Sequence, residues 1–297
     1  MFSAPAPLEP LSRAIELAPT SAGTSPWATL AKALYQLCFI RVSRDGHEAG
    51  RALAEEGMEA ARRSGDQRVI ANLIMRIVEY IEDDSEATRL MNEALVFFRE
   101  SGDRRGTATC LMNMGIMQAE AKRYPEAAPL YQEAADIYRQ IGNRWGLANC
   151  LANLGGVHVK ASDYTTAIKL CEEALRIERD IGDRESACFA LLDLGDAYLQ
   201  LGEEQRAMDY LRQSLVDARD VGVTAVMLEN LSLMAQIYAC RGETQRAGHI
   251  LGVLEGHPAW DGDWHELTED ILKLLEPVMS AGEIQAAMAE GKAQGLE

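Results

Sequence analysis

The sequence predicts an all-α fold, a right-handed α-solenoid of about six helix pairs with a helical C-terminal cap. A short break centred on a glycine recurs at intervals of 37, 40, 40 and 40 residues, at Gly65, Gly102, Gly142, Gly182 and Gly222. Between these breaks the apolar residues follow a helical period and not the alternation of a strand. Units of this length cannot bury their apolar faces alone, so we expect them to stack along the chain.

The first helix of each unit places apolar or small residues at positions i, i+3, i+4 and i+7. One of these positions is always small, and the residues found there are Gly115, Gly155, Gly195 and Ala235. Glycine costs helix propensity, so we expect it to serve a packing purpose. The sequence therefore predicts that the second helix of the same unit packs closely against this position.

The second helix of each unit follows a short polar break, and its stripe alternates small and large residues, as in Ala167, Leu170, Cys171 and Ala174. The breaks between units fit the chemistry of helix ends. A glycine such as Gly182 adopts the left-handed conformation that closes a helix, and the residue after it, Asp183, offers an oxygen to the free N–H groups of the next helix. Two residues then suffice to connect consecutive helices.

The period divides residues 1–256 into a repeat domain, and residues 257–297 are expected to form capping helices. The repeat units are predicted at about 24–63, 64–100, 101–140, 141–180, 181–220 and 221–256. The stretch LEPLSRAIELAP before Thr24 has the pattern of a second helix, which predicts a truncated earlier unit.

Composition limits the classes of function. The formal net charge is -17, which opposes contact with phosphate backbones and anionic lipid, so we expect no direct binding of nucleic acid or membrane. No apolar run approaches the length of a membrane span, and the first residues lack the pattern of a signal peptide. These features predict a cytoplasmic protein.

Residues with catalytic or metal-binding chemistry are scattered. The six cysteines form no ligand spacing and are expected to be buried, reduced thiols. His158 occupies a helix-packing position. The segment HPAWDGDWH contains His257, Asp261, Asp263 and His265, but its spacing matches no metal loop and a solvated connection is the favoured interpretation. The sequence predicts no catalytic residue, no cofactor and no metal, and hence no enzyme.

The repeat resembles the tetratricopeptide repeat (TPR) family. The resemblance rests on Leu191-x-x-Leu194-Gly195-x-x-Tyr198, followed by the small, large and small residues Ala207, Leu211 and Ser214. The usual unit of the family has about 34 residues and a proline near its end. Here the unit is longer and lacks that proline, which predicts longer helices.

The C-terminal part is similar to the closing segment of the MalT-like TPR region. The similar stretches are residues 246–252 (RAGHILG) and 288–293 (MAEGKA). That region lies behind the ATPase core in large bacterial signal-transduction ATPases, many of them transcription activators. The sequence contains no G-x-x-x-x-G-K-[ST] motif and no basic recognition helix.

The resemblance also implies a binding surface, because the first helices of a TPR array line its concave face. The expected groove residues are Tyr35, Phe39, Met112, Ile116, Asn149, Gly156, Phe189, Leu192, Asp196 and Gln236. This wall is partly apolar, which suits an amphipathic helix or an extended peptide and lacks the cations of a chaperone-tail clamp. In the alternative interpretation, Met112 and Phe189 only pack against the next unit.

Two functions follow from these expectations. The first is a non-enzymatic sensor or interaction arm of a bacterial ATP-dependent signalling or transcription regulator. The second is a free-standing TPR adaptor that scaffolds a protein complex. In both, the partner is a protein or peptide in the concave groove, and a small-molecule effector is left open.

Overall fold

The computed structural model describes residues 25–34, 47–78, 81, 83–259 and 265–295, with the backbone alone at 47–52 and 265–267. These residues form fourteen helices and no strand. The architecture is an all-α, TPR-like solenoid, which confirms the predicted fold class.

The chain divides into two compact units, Met1–Met114 and Gly115–Glu297. The described helices of the first unit are α1 (26–34), α2 (His47–Ser64), α3 (Gln67–Ile77), α4 (Asp84–Glu100) and the first part of α5 (Arg104–Glu120). Helix α3 packs between α2 and α4. The core of this unit includes the fully buried side chains of Ile74, Met91 and Phe98.

The second unit begins within α5 and contains nine further helices. They are α6 (Tyr124–Ile141), α7 (Arg144–Lys160), α8 (Tyr164–Ile181), α9 (Arg184–Gln200), α10 (Glu204–Val221), α11 (Thr224–Cys240), α12 (Thr244–Gly256), α13 (His265–Leu275) and α14 (Ala281–Gln294). From α6 to α12 each helix packs against the next one. In addition, α9 contacts both α7 and α11, whereas α8 and α10 share no contact of comparable extent. The first helices α7, α9 and α11 therefore lie side by side as one layer.

The ends of the helices follow the predicted capping chemistry. Gly142 and Gly182 are left-handed, with φ of 72° and 76°, and close α6 and α8. Asn143 then accepts a hydrogen bond from Gly146 N, and Asp183 accepts one from Ser186 N. The acidic turn before α4 has the same use, because Asp83 accepts hydrogen bonds from the backbone at the start of that helix. These caps confirm the interpretation of the breaks as helix ends.

The small residues of the first helices pack as predicted. A β-carbon added to Gly115 would lie 2.8 Å from Tyr131 Cε1, and one added to Gly195 would lie 2.5 Å from Leu211 Cδ2. Gly155 faces the Cys171 sulfur in the same way. The partner belongs in each case to the second helix of the same repeat, which confirms the expected close approach.

The C-terminal cap is held by backbone packing between α12 and α14. Gly252 faces the Met288 carbonyl, and Gly291 faces the His249 carbonyl, so neither glycine has room for a side chain. Helix α14 begins with a capping box between Ser280 and Glu283. The two stretches that resemble the closing segment of the MalT-like region thus pack against each other.

Candidate partner-binding face

The layer of first helices presents a surface of exposed and half-buried side chains. We name it the first-helix face and define it by Trp145, Asn149, Gly156 and Lys160 of α7, Phe189, Asp193 and Asp196 of α9, and Glu229 and Gln236 of α11. Successive members on one helix are separated by three, four or seven residues, so they share one side of it. The face lies within the second compact unit.

Of the ten sequence-predicted groove residues, five are members of this face, three are not, and two fall outside the part of the chain that the structure describes. Tyr35 and Phe39 lie outside the described residues. Met112, in the first unit, and Leu192 are only 8% and 5% exposed, so they serve packing and offer little surface to a partner. Ile116 is half-buried on α5, and Asn149 Nδ2 donates a hydrogen bond to the Trp145 carbonyl of its own helix.

Phe189 and Trp145 are the aromatic members of the face. Phe189 is 45% exposed and Trp145 is 52% exposed. Exposed aromatic side chains of this size are common anchors of protein interfaces, because they bury much apolar area at a small entropic cost. Packing against neighbouring residues therefore explains only the buried half of the Phe189 side chain.

Four charged side chains meet on the face: Lys160 of α7, Asp193 and Asp196 of α9, and Glu229 of α11. The charges of Lys160, Glu229 and Asp196 all act on the Asp193 carboxyl. Gly156 brings this carboxyl close to α7, since a β-carbon at Gly156 would lie 3.1 Å from Asp193 Oδ2. The predicted residues Gly156 and Asp196 thus lie with Glu229 and with two charged residues, Lys160 and Asp193, that the prediction did not include.

The protein environment disfavours the charged forms of these carboxyls. Desolvation, followed by the charge of Glu229, raises the pKa of Asp193 to about 8, although Lys160 acts in the opposite direction. Desolvation also raises the pKa of Glu229. Desolvation lowers the pKa of Lys160, but the charges of Glu229, Asp196 and Asp193 outweigh it and the net shift is upward. Asp193 still keeps some solvent contact.

Asp193 occupies a position that the two preceding repeats fill with an amide. The equivalent residues are Asn113 and Asn153, and Asn113 Nδ2 donates a hydrogen bond to the Met75 carbonyl of the preceding first helix. An ionised aspartate at this position has no hydrogen to donate in such a bond. The replacement of asparagine by aspartate at a fixed repeat position was the available sequence signal for this residue.

The remaining candidates from the sequence are His158 and the HPAWDGDWH segment, residues 257–265. His158 Nδ1 lies 3.1 Å from Asp163 Oδ2, next to the start of α8. Residues 260–264 of the HPAWDGDWH segment lie outside the described part of the chain, and the described residues contain no group of three metal-binding side chains. In the described ranges no helix is long and apolar enough to cross a membrane.

The expectation that the cysteines are buried requires one correction. Cys110, Cys150, Cys171 and Cys188 are free and buried, and burial raises the pKa of the Cys110 and Cys150 thiols to about 12. Cys240 is free but exposed, and it is the last residue of α11. Cys38 lies outside the described residues.

Comparisons with known proteins agree with this architecture. A family model for the tetratricopeptide repeat matches residues 77–140 and 147–216. A search of curated proteins gives no match.

Among solved structures, aspartyl phosphate phosphatase F from Bacillus subtilis aligns with a TM-score of 0.69 and 14% identity, over 96% of this chain and 78% of that one. A STAND signal transduction ATPase with a tetratricopeptide repeat sensor, from Pyrococcus horikoshii, aligns with a TM-score of 0.67 and 14% identity, over 90% of this chain and 44% of that one. A Rap protein complexed with competence and sporulation factor aligns with a TM-score of 0.58 and 14% identity, over 95% of this chain and 81% of that one.

At such identities these likenesses establish the fold alone. The repeat match and the solved structures agree with the all-α fold of paired helices described above. The chain therefore has a TPR-like all-α fold, with a tetratricopeptide-repeat match at residues 77–140 and 147–216.

Proposed function

We propose that this protein binds a protein or peptide partner through the first-helix face and catalyses no reaction. The observation that carries this proposal is the exposed ring of Phe189 beside a charged cluster whose carboxyls are poorly neutralised within the fold. Tetratricopeptide repeats generally serve as interaction scaffolds. A Rap protein of similar fold is found in complex with competence and sporulation factor, which supports a binding role for this type of array.

Within this proposal, the chain acts as the sensor or interaction arm of a bacterial ATP-dependent signalling or transcription regulator. Two observations support this role as a sensor or interaction arm. The closing segment, with α12 packed on α14, resembles that of the MalT-like region. A STAND ATPase with a tetratricopeptide repeat sensor shares the fold, and this chain spans 44% of its length. A cytoplasmic location without direct nucleic-acid binding belongs to the same proposal and is supported by the net charge of -17.

The binding surface is tested by Phe189→Ala against Val216→Ala. The two side chains are matched in exposure, 45% and 47%, but Val216 lies on the second helix α10, away from the first-helix layer. Each variant is immobilised and probed with a random octapeptide library, and helicity is checked by circular dichroism. Phe189→Ala should lose the peptides selected by the parent, whereas Val216→Ala should keep them. Equal loss in both variants, or in neither, contradicts the assignment of the face.

A free-standing adaptor is the second candidate function. The binding face alone supports it, whereas the closing segment supports the sensor arm. The two are separated by the size of the native protein. An antibody against this chain should detect a species much larger than 32.6 kDa in native cells if the chain is the arm of an ATPase. A band near 32.6 kDa would select the adaptor.

A further inference from the structure

We propose that the partner of the first-helix face is a basic peptide segment, in which an arginine or lysine side chain lies between Asp193 and Glu229 and a neighbouring apolar side chain packs on Phe189. This inference rests on the binding function proposed above and specifies the chemistry of the occupant. It is argued from charge, hydrogen bonding, space and the placement of the aromatic ring.

The charges of the cluster do not balance. Asp193, Asp196 and Glu229 supply three carboxyls, and Lys160 is the cation that acts on all of them. In the described part of the chain Lys160 forms no ion pair within 4.0 Å, so its ammonium acts at longer range. A second cation would offset part of this acidic excess. The carboxyls resist ionisation because too little positive charge lies near them. A cation on a partner would supply that charge and would therefore be attracted.

Hydrogen bonding within the fold also leaves the cluster incomplete. Asp196 Oδ1 accepts a bond from Gln200 Nε2 at 3.0 Å. Among the described residues, neither Asp193 nor Glu229 accepts a side-chain hydrogen bond from the protein. Carboxylates form their strongest hydrogen bonds with charged donors, and a guanidinium can bond two acceptor oxygens at once. Two unpartnered carboxyls on adjacent helices suit such a donor.

Gly156 of α7 lets the Asp193 carboxyl approach the backbone of that helix. The residue of α7 that faces Asp193 is Gly156, and a β-carbon there would already lie 3.1 Å from Asp193 Oδ2. The carboxyl therefore rests against a bare helix backbone, and Asp193 as a residue is partly exposed to solvent. A larger residue at this position would cover the carboxyl, so the glycine keeps it accessible.

Phe189 supplies the apolar part of the site. It precedes Asp193 by four residues on α9, so the ring and the carboxyl occupy the same side of the helix. The ring is 45% exposed and can take both an apolar side chain and the flat face of a guanidinium. Aromatic and acidic groups side by side select a segment that combines a basic residue with an apolar one.

Binding of a cation should be coupled to proton release. The groups that face Asp193 are Lys160 of α7, Glu178 of α8, Asp196 of α9 and Glu229 of α11, and they leave its pKa near 8. Asp193 is therefore mostly protonated at neutral pH. A bound cation favours the ionised form, so affinity should rise as pH increases from about 6 to about 8 and level off above.

The test begins with a positional-scanning library of acetylated and amidated octapeptides, screened against the full chain. We expect arginine or lysine to be enriched at one position, with an apolar residue beside it. The best fluorescent peptide is then titrated against Asp193→Asn combined with Glu229→Gln, and its affinity should fall by about ten-fold or more. Asp209→Asn, an exposed carboxyl change on α10, is the matched control and should bind as the parent does.

A double-mutant cycle identifies the contact. Replacing the peptide's basic residue by citrulline or norleucine should weaken binding to the parent but cause no further loss with the Asp193/Glu229 variant. Isothermal titration in buffers of different ionisation enthalpy should show proton release near pH 7. A circular dichroism spectrum equal to that of the parent confirms that the double variant is folded.

Two kinds of result would contradict this inference, and they have different consequences for the proposed function. Selected peptides without a basic preference, or a basic peptide that the double variant binds normally, would overturn this inference while the proposed binding function stands. An absence of any peptide whose binding depends on Phe189 would overturn both.

Discussion

The ring of Tyr138 lies directly over Gly146, so that a β-carbon on Gly146 would lie 2.6 Å from Tyr138 Cζ. Tyr138 is in the second helix of one repeat and Gly146 is in the first helix of the next. Phe98 and Gly106 form the same pair one repeat earlier. An aromatic residue and a glycine 8 positions later thus build the junction between consecutive repeats.

Replacing Gly146 by alanine should destabilise the protein by about 1–3 kcal/mol, because Tyr138 is fully buried and its ring has no free volume to enter. The loss should exceed the gain in helix propensity, which is about 1 kcal/mol for glycine to alanine. The measurement is urea denaturation followed by circular dichroism. Gly282→Ala, at a helical glycine with nothing near its β-carbon position, is the control and should be neutral or stabilising.

At the third junction of this series, Glu178 takes the position of the aromatic residue and Ser186 takes that of the glycine. Glu178 is fully buried, and both of its carboxylate oxygens lack a hydrogen-bond partner. Burial, followed by the charge of Asp183, raises its pKa to about 8 from an ordinary value of 4.5. A carboxyl in this state is neutral in the folded protein at neutral pH.

This burial predicts a pH dependence of stability. The folded pKa lies above the unfolded one, so the contribution of Glu178 is complete below about pH 4.5 and is lost as pH rises to about 8. Glu178→Gln should remove this loss and be more stable than the parent above pH 8, by about 2–4 kcal/mol. The check is the free energy of unfolding at pH 5, 7 and 9. The exposed change Glu172→Gln on the same helix should leave the pH profile unaltered, and an unaltered profile in Glu178→Gln would contradict the assignment.

The turn between the two helices of a repeat contains a left-handed residue that is not always glycine. Lys122 and Ser162 have φ of 57° and 61°, whereas the equivalent Gly202 and Gly242 have φ of 76° and 77°. The left-handed conformation costs a non-glycine residue about 1–2 kcal/mol. Glycine avoids this cost, but its greater freedom in the unfolded chain offsets part of the gain.

Ser162→Gly should therefore stabilise the protein, and Gly202→Ser should destabilise it, each by about 0.5–1 kcal/mol. Thermal melting of the two single variants gives the comparison. Shifts of the same sign in both variants would show that the turn conformation does not govern the effect.

The sequence predicted the parts of the fold that depend on local chemistry. Gly142 with Asn143, and the period of Gly155 and Gly195, follow from helix ends and from contacts within one repeat. The junction pairs were also visible in principle, since Phe98 and Tyr138 are 40 residues apart, as are Gly106 and Gly146. Their role was missed because each pair joins two repeats, and the pattern was interpreted within one.

The charged cluster could not be predicted in the same way. Lys160, Asp193 and Glu229 come from three repeats, and they meet only because α7, α9 and α11 lie in one layer with a particular lateral register. A period in the sequence gives the order of the helices but not the side-chain distances across the layer. Similarly, Leu192 was expected on the groove surface and is buried, because a shift of one position around a helix turns a side chain from the surface into the core.

The C-terminal cap gives a graded test of helix packing. In α12, a β-carbon at Gly252 would meet the Met288 backbone carbonyl, one at Gly248 would lie 2.9 Å from Ala287 Cβ, and one at Gly256 would lie 3.1 Å from Lys292 Cγ. The Met288 carbonyl and the Ala287 β-carbon move only with helix α14, and the carbonyl is the nearer of the two. Lys292 Cγ can move by rotation about its side-chain bonds.

Alanine substitutions should therefore destabilise in the order Gly252, Gly248, Gly256, with about 3 kcal/mol for Gly252→Ala and less than about 1 kcal/mol for Gly256→Ala. Because α14 packs on α12, the Gly252 variant should also release its C-terminal helix to limited proteolysis while the repeats stay helical. The measurement combines thermal melting with mass spectrometry of the proteolytic fragments. Equal stability of the three variants would mean that α12 and α14 are not in backbone contact in solution.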